Sequence, residues 1–186
     1  MVLMVLRILS WLALCALGAV VFPGFTLWWI VAAVAGSLLF YWLAPKPEKL
    51  DWVVIDGSNV MHWFDETPSL NTVSQVAQHL IDLGYWPIVW FDANVGYKVG
   101  SRYMGEAALA RHLPVSAKAI RVAPKGSPAD PLLLAEAGRL RARVVSNDKF
   151  RDWTEEFPQL HDESFLIRAK VHATGLTMEI KPAGQV

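Results

Sequence analysis

The pattern of apolar and polar positions divides the chain in two. Residues 1–45 are almost continuously apolar, with Arg7 as the single charge. From residue 51 onward, short apolar runs alternate with amphipathic stretches. Residues 52–55 (Trp-Val-Val-Ile), 87–91, 119–123 and 143–146 read as buried strands, being short, rich in β-branched residues and bounded by turn residues or acids. Residues 70–83 place apolar side chains at Val73, Val76, Ala77, Leu80 and Leu83, a helical spacing that Gly84 closes. The pattern predicts further helices over 101–113, ended by Pro114, and over 130–140, where Pro131 suits the first turn. Another helix is expected to start over 149–156, with late strands over 165–171 and 176–180 joined at Thr174-Gly175. Alternating strands and helices predict an α/β fold with a parallel sheet flanked by helices and right-handed crossovers.

The apolar N-terminal part predicts two membrane spans, over 3–22 and 25–43, turning at Pro23-Gly24. At ~1.5 Å per residue each reaches roughly 30 Å, the thickness of a bilayer core. Trp28, Trp29, Tyr41 and Trp42 fall where interfacial aromatics belong. Arg7, Lys46 and Lys49 place both ends on the cytoplasmic side, as in a two-pass protein of a bacterial inner membrane. The competing reading is a cleaved signal peptide over 1–20, but a second apolar stretch follows at once. The expected organisation is a hairpin over 1–45, a stiff linker over 46–50 and a domain over 51–182. The hairpin offers a lipid bilayer as partner. Gly18 and Gly36 would allow close helix packing and self-association.

Composition adds little to this. Residues 51–186 carry 14 Lys and Arg against 16 Asp and Glu, so any basic surface is local. The one cysteine, Cys15, excludes an intrachain disulfide framework and a cysteine-based zinc site. No phosphate-binding glycine loop, nucleotide fingerprint or serine-nucleophile elbow is present.

The chemistry lies in a few acids at strand ends. Asp56 follows the first strand, in Val-Val-Ile-Asp-Gly-Ser-Asn-Val (53–60). Asp148 follows the fourth, in Val-Val-Ser-Asn-Asp-Lys-Phe-Arg-Asp (144–152). A parallel sheet brings such residues together at its carboxyl edge, where open α/β folds bind ligands. Asp56, Asn59, Asp130, Asp148 and Asp152 are therefore expected to meet, Asp152 sharing a helix face with Asp148. Carboxylates so close resist ionising together, and a hard divalent cation, Mg²⁺ or Mn²⁺, resolves that conflict. The set predicts a metal-dependent phosphodiester-cleaving site. Asn59 positions Asp56 or a bound water, and Asp92, ending the second strand, is a possible additional acid. Asp152 could instead pair with Arg151 or Lys149 on a helix surface, and Asp130 could be a plain helix cap.

Both strings resemble motifs of the NYN branch of the PIN-like nucleases, most closely the Regnase-type ribonuclease domain. The first matches that family's opening motif and the second its later Val-Ser-Asn-Asp-x-(Tyr/Phe)-Arg-Asp, with matching spacing from Asp130 to Asp148. The resemblance covers roughly residues 51–180. It implies a PIN-like sheet and endonucleolytic cleavage of RNA. Its acidic pocket falls on Asp56, Asp130, Asp148 and Asp152, supported by Asn59. The animal enzymes carry two adjacent acids where this chain has Ala129-Asp130. They also carry a Cys₃His zinc finger that this chain lacks. Candidate RNA-binding residues are Lys149, Arg151, Lys125 and Arg102, with Lys98 beside them. Trp63, Phe64, Tyr97 and Tyr103 are candidates for base stacking and His62 for the pocket lining. The alternative function is a catalytically weak module that binds RNA or a protein partner, and Ala129 is the residue that keeps it open.

Overall fold

The structure is a computed structural model that describes residues 2–43, 50–172, 175–178 and 180. The side chains of 2–8, 23, 26, 40, 41 and 43 are not described. The chain forms two compact units, Met1–Glu48 and Lys49–Val186. Of the expected linker, only Leu50 falls among the described residues; Thr174, expected at the late turn, lies outside them.

The first unit is a pair of helices, α1 (Val2–Val21) and α2 (Thr26–Leu43), joined by a 3₁₀ turn at Pro23–Phe25. Small residues let the two helices approach. A Cβ on Gly18 would stand 2.7 Å from the Trp29 indole, and one on Gly36 would collide with Trp11. The glycines expected to serve self-association thus seat indoles within the pair. Among the described residues, no helix is long and apolar enough to cross a membrane. The expected spans over 3–22 and 25–43 are therefore not supported among these residues.

The second unit is a parallel sheet between helices. Its strands are β1 (Trp52–Asp56), β2 (Trp86–Phe91), β3 (Ile120–Val122), β4 (Arg143–Val145) and β5 (Leu166–Ile167), in the order β3-β2-β1-β4-β5. Every pairing is parallel. The central strand is apolar up to its last residue because both its faces are covered. Val53 and Ile55 join one core with Val73, Val76, Ala77 and Leu80 of α4 (Leu70–Asp82). Val54 joins the other with Leu133, Leu134 and Ala137 of α7 (Asp130–Leu140). The remaining helices of this unit are short: α3 (Gly57–Val60) before α4, and α5 (Val95–Val99) and α6 (Glu106–Leu109) between β2 and β3. An antiparallel hairpin, β6 (Ala169–His172) with β7 (Gly175–Met178), follows the sheet.

Three local expectations are corrected. The helix over 101–113 shrinks to the single turn of α6. Gly96 packs directly on the backbone of Arg102 and Met104, which holds that segment open. The helix over 149–156 is only a 3₁₀ turn at Arg151–Trp153, because Phe150 precedes it in the left-handed region at φ 48°. The late strand over 165–171 breaks at Arg168, giving β5 to the sheet and β6 to the hairpin.

The chain runs β1 to β2 to β3 in one direction, then crosses to β4 on the other side of β1. The carboxyl ends of β1 and β4 therefore form the topological switch point, where neighbouring connections diverge and leave a crevice. Gly57 shapes its floor. A Cβ there would stand 2.5 Å from the Phe91 ring and 2.8 Å from the Trp90 carbonyl. Gly57→Ala is expected to destabilise the second unit by ~1–3 kcal/mol through overpacking. Urea unfolding monitored by tryptophan fluorescence would measure this, and an unchanged midpoint would contradict the close approach.

Candidate active site

β1 is buried to its last residue, so its terminal acid is carried into the interior. Asp56 is 4% exposed. One carboxylate oxygen accepts the Asn59 backbone N–H at 3.1 Å, and the other accepts the Ser146 hydroxyl at 2.9 Å. Burial pushes its pKa up from 3.8 to about 7 against the pull of those two hydrogen bonds, and the charges of Asp130 and Asp92 add to the rise.

Asp130 opens α7 and points at the same place. Its pKa is raised, first by burial and then by the charges of Asp148 and Asp92, while a hydrogen bond from Trp153 opposes the rise. Carboxylates from three strand ends and one helix start are thus linked through Asp130: Asp56 feels Asp130 and Asp92, and Asp130 feels Asp148 and Asp92. Asp92 also lies 3.8 Å from Lys98, and its backbone N–H donates to the Ser58 hydroxyl at 2.8 Å.

The loop after β4 is held from three sides. The Ser146 hydroxyl, fully buried, accepts the Asp148 N–H at 3.1 Å while donating to Asp56, so one atom bridges two acids. The Asp148 carboxylate accepts the Phe150 N–H at 2.7 Å, the short-range bond that favours a turn over a helix. The Asn59 side-chain oxygen accepts from the Trp63 indole at 2.7 Å and from the Asn147 N–H at 3.0 Å. Asn59 therefore clasps the two motif loops together rather than contacting Asp56 through its side chain; only its backbone does so.

Several sequence-predicted residues stand elsewhere. Asp152 sits exposed in the 3₁₀ turn and is not among the charges acting on Asp56 or Asp130; the turn at Phe150 removes the shared helix face. His62 does not line the site; its Nδ1 lies 3.1 Å from the Glu66 carbonyl. The Trp63 indole N–H is spent on Asn59. Lys149, Arg151, Lys125 and Arg102 are exposed, as are Phe64, Tyr97 and Tyr103. Sequence reasoning did not assign roles to Ser146, Asn147 and Trp153. The only signal was the position of Ser146-Asn147 between a strand end and an acid.

Among the described residues, no group of three or more His, Cys, Asp or Glu is arranged to hold a metal ion. The donor set nevertheless has the chemistry of a hard-cation site, since every acid facing it is a carboxylate. Mg²⁺ is commonly held by one or two carboxylates plus water and substrate phosphate, so a preformed cage is not required. A cleft of about 810 Å³ opens at the opposite end of the sheet, between Trp52, Trp86 and Pro114. Its acid, Glu136, is engaged by Trp90, Arg121 and Arg139. The acids that can act on a substrate lie at the carboxyl end.

The high pKa of Asp56 has a stability consequence. The folded chain holds this proton up to about pH 7, whereas the unfolded chain releases it near 3.8. Between those values the folded state binds more protons, so stability falls as pH rises through that window and levels off above it. Asp56→Asn removes the titration. Without divalent cation, the loss of wild-type stability from about pH 5 to 8 is expected to exceed the variant's by roughly 2–3 kcal/mol. Urea unfolding in EDTA across that range tests this, and parallel curves for the two proteins would refute it.

Comparison with known proteins agrees with this architecture. No curated protein sequence matches the chain. Two structures of Arabidopsis thaliana nuclear protein-only RNase P 2 (PRORP2) match it at 19% identity, with TM-scores of 0.53 and 0.54. Each match covers 95% of this chain and 37% of that protein, so the chain spans well under half its length and shares its fold. A family model described as the Zc3h12a-like Ribonuclease NYN domain matches residues 49–167. The chain belongs to the Zc3h12a-like ribonuclease NYN domain family.

Proposed function

We propose that this protein is a metal-dependent endoribonuclease that hydrolyses RNA phosphodiester bonds with Mg²⁺ or Mn²⁺. The observation that carries the reading is the convergence of Asp56, Asp92, Asp130 and Asp148 at the switch point, where burial and neighbouring carboxylates raise the pKa of Asp56 and of Asp130. Such perturbed carboxylates cluster at functional sites. Membership of a ribonuclease domain family supports RNA as the substrate.

Asp56, Asp130 and Asp148 would hold the cation, with Asp92 supplying the carboxylate that Ala129 does not. A bound divalent cation lowers the pKa of water and neutralises charge on the scissile phosphate. The chain's own contribution is positional. Ser146 fixes the separation of Asp56 and Asp148, and Asn59 locks the loops that carry them. Water attacks phosphorus, the bond to the 3′ oxygen breaks, and the products carry 5′-phosphate and 3′-hydroxyl ends. No nucleophilic side chain is required.

A second reading is a binding module that cleaves nothing. Two observations favour it: Ala129 in place of an acid, and the lack of a three-ligand group among the described residues. A lipid surface at the cytoplasmic face is part of the proposal as well. It is supported by outward apolar side chains of the first unit, including Leu14, Leu17, Trp28 and Ile30.

Full-length protein and its Asp148→Asn variant, incubated with end-labelled RNA and matching DNA, separate the readings. Cleavage of RNA in Mn²⁺ or Mg²⁺ is expected, lost in EDTA and reduced at least ~100-fold in the variant. Folded wild-type protein that binds RNA but leaves it intact with either metal would establish the binding module instead. Co-flotation of the chain with vesicles tests the lipid surface.

A further inference from the structure

We infer that the groove between the loop after β4 and the β6–β7 hairpin carries a single RNA strand beside the scissile bond, with Arg168 and Lys170 gripping its phosphates. This rests on the ribonuclease reading. The groove is a cleft of about 570 Å³ whose walls include Asn147, Arg168, Ala169, Lys170 and Thr177. Asn147 immediately precedes Asp148, so the cleft begins where the acid cluster ends.

The groove and the cluster are fastened together. The Asn147 side-chain amide donates to the Ala169 carbonyl at 2.9 Å, and its oxygen accepts the Ala169 N–H at 3.3 Å. Arg168 donates to the Asn147 carbonyl at 3.3 Å. One residue therefore ties the hairpin to the loop that carries Asp148. A strand lying in the groove would reach the acids in a fixed register.

The chemistry of the walls identifies the occupant. Arg168 and Lys170 are exposed, and among the described residues neither takes part in an ion pair. Strand alternation in β6 buries Ala169 and Val171 and turns Lys170 outward. Among the described residues of the walls Glu163 is the one acid against Arg168 and Lys170, so the cations prevail there. Among the described residues no aromatic ring lines the groove, which leaves base stacking no part in the affinity there. Two cations without aromatics suit a phosphate backbone read without regard to sequence.

The experiment measures binding without cleavage. Full-length Asp148→Asn protein is compared with the same protein carrying Arg168→Ala and Lys170→Ala, using labelled oligouridylate across a NaCl series. Affinity is expected to fall roughly tenfold, and the slope of log K against log salt to shrink by about 1.4, as for two lost single-strand phosphate contacts. Lys170→Ala alone, which breaks no hydrogen bond described above, is expected to give about half that change in slope. Relative affinity for other homopolymers should stay the same. Unchanged affinity and slope would overturn the inference, as would absence of RNA binding by the Asp148→Asn protein or equal competition by duplex RNA. Wild-type protein that cannot cleave would overturn the ribonuclease reading alone, since the binding series does not depend on cleavage.

Discussion

The structure is organised around one unfavourable placement: a carboxyl group at the end of the central strand, buried among other carboxyls. A charge there is opposed by desolvation and by its neighbours, and the chain answers with hydrogen bonds to both Asp56 oxygens rather than by solvent access. Those bonds recover only part of the cost, which is why the group stays protonated toward neutral pH. An arrangement that a cation would relieve, and that the apo chain tolerates only as an acid, is a site whose ionisation and ligand binding are linked.

The ties that build this site are few and mostly neutral. Ser146 spans two acids, Ser58 holds the backbone at Asp92, and Asn59 joins Trp63 to Asn147. None of them adds charge. They fix where charged groups stand relative to one another, which electrostatic preorganisation demands. The fold supplies the rest by placing β1 beside β4, so that two motifs far apart in sequence share one crevice.

The sheet was legible in the sequence because strands covered on both faces are apolar in unbroken runs. Val53, Val54 and Ile55 could be nothing but interior. The strand-end acids Asp56, Asp92 and Asp148 were legible for the same reason, since polarity at the end of such a run is conspicuous. Failures fell where single backbone angles decide. Phe150 adopts the left-handed region, which no apolar period announces. Asp152 was misplaced with the helix that Phe150 forbids. The expected helix over 101–113 failed to a backbone contact at Gly96, invisible without the third dimension. The ties through Ser146, Asn147 and Trp153 left almost no trace, because a hydrogen bond spanning 88 or 90 residues imposes no local pattern. In the first unit the apolar runs showed helices but not the indoles resting on Gly18 and Gly36.

The Ser146 hydroxyl stands 90 residues after the carboxylate it completes. On a ribosome, β1, β2 and β3 emerge well before it, so Asp56 leaves the exit tunnel with half its shell missing and no partner strand on that side. The acid pocket must then be among the last features to form during synthesis. A nascent chain of this protein would carry Asp56 and Asp92 as ordinary solvated acids until the final third of the chain arrives to enclose them.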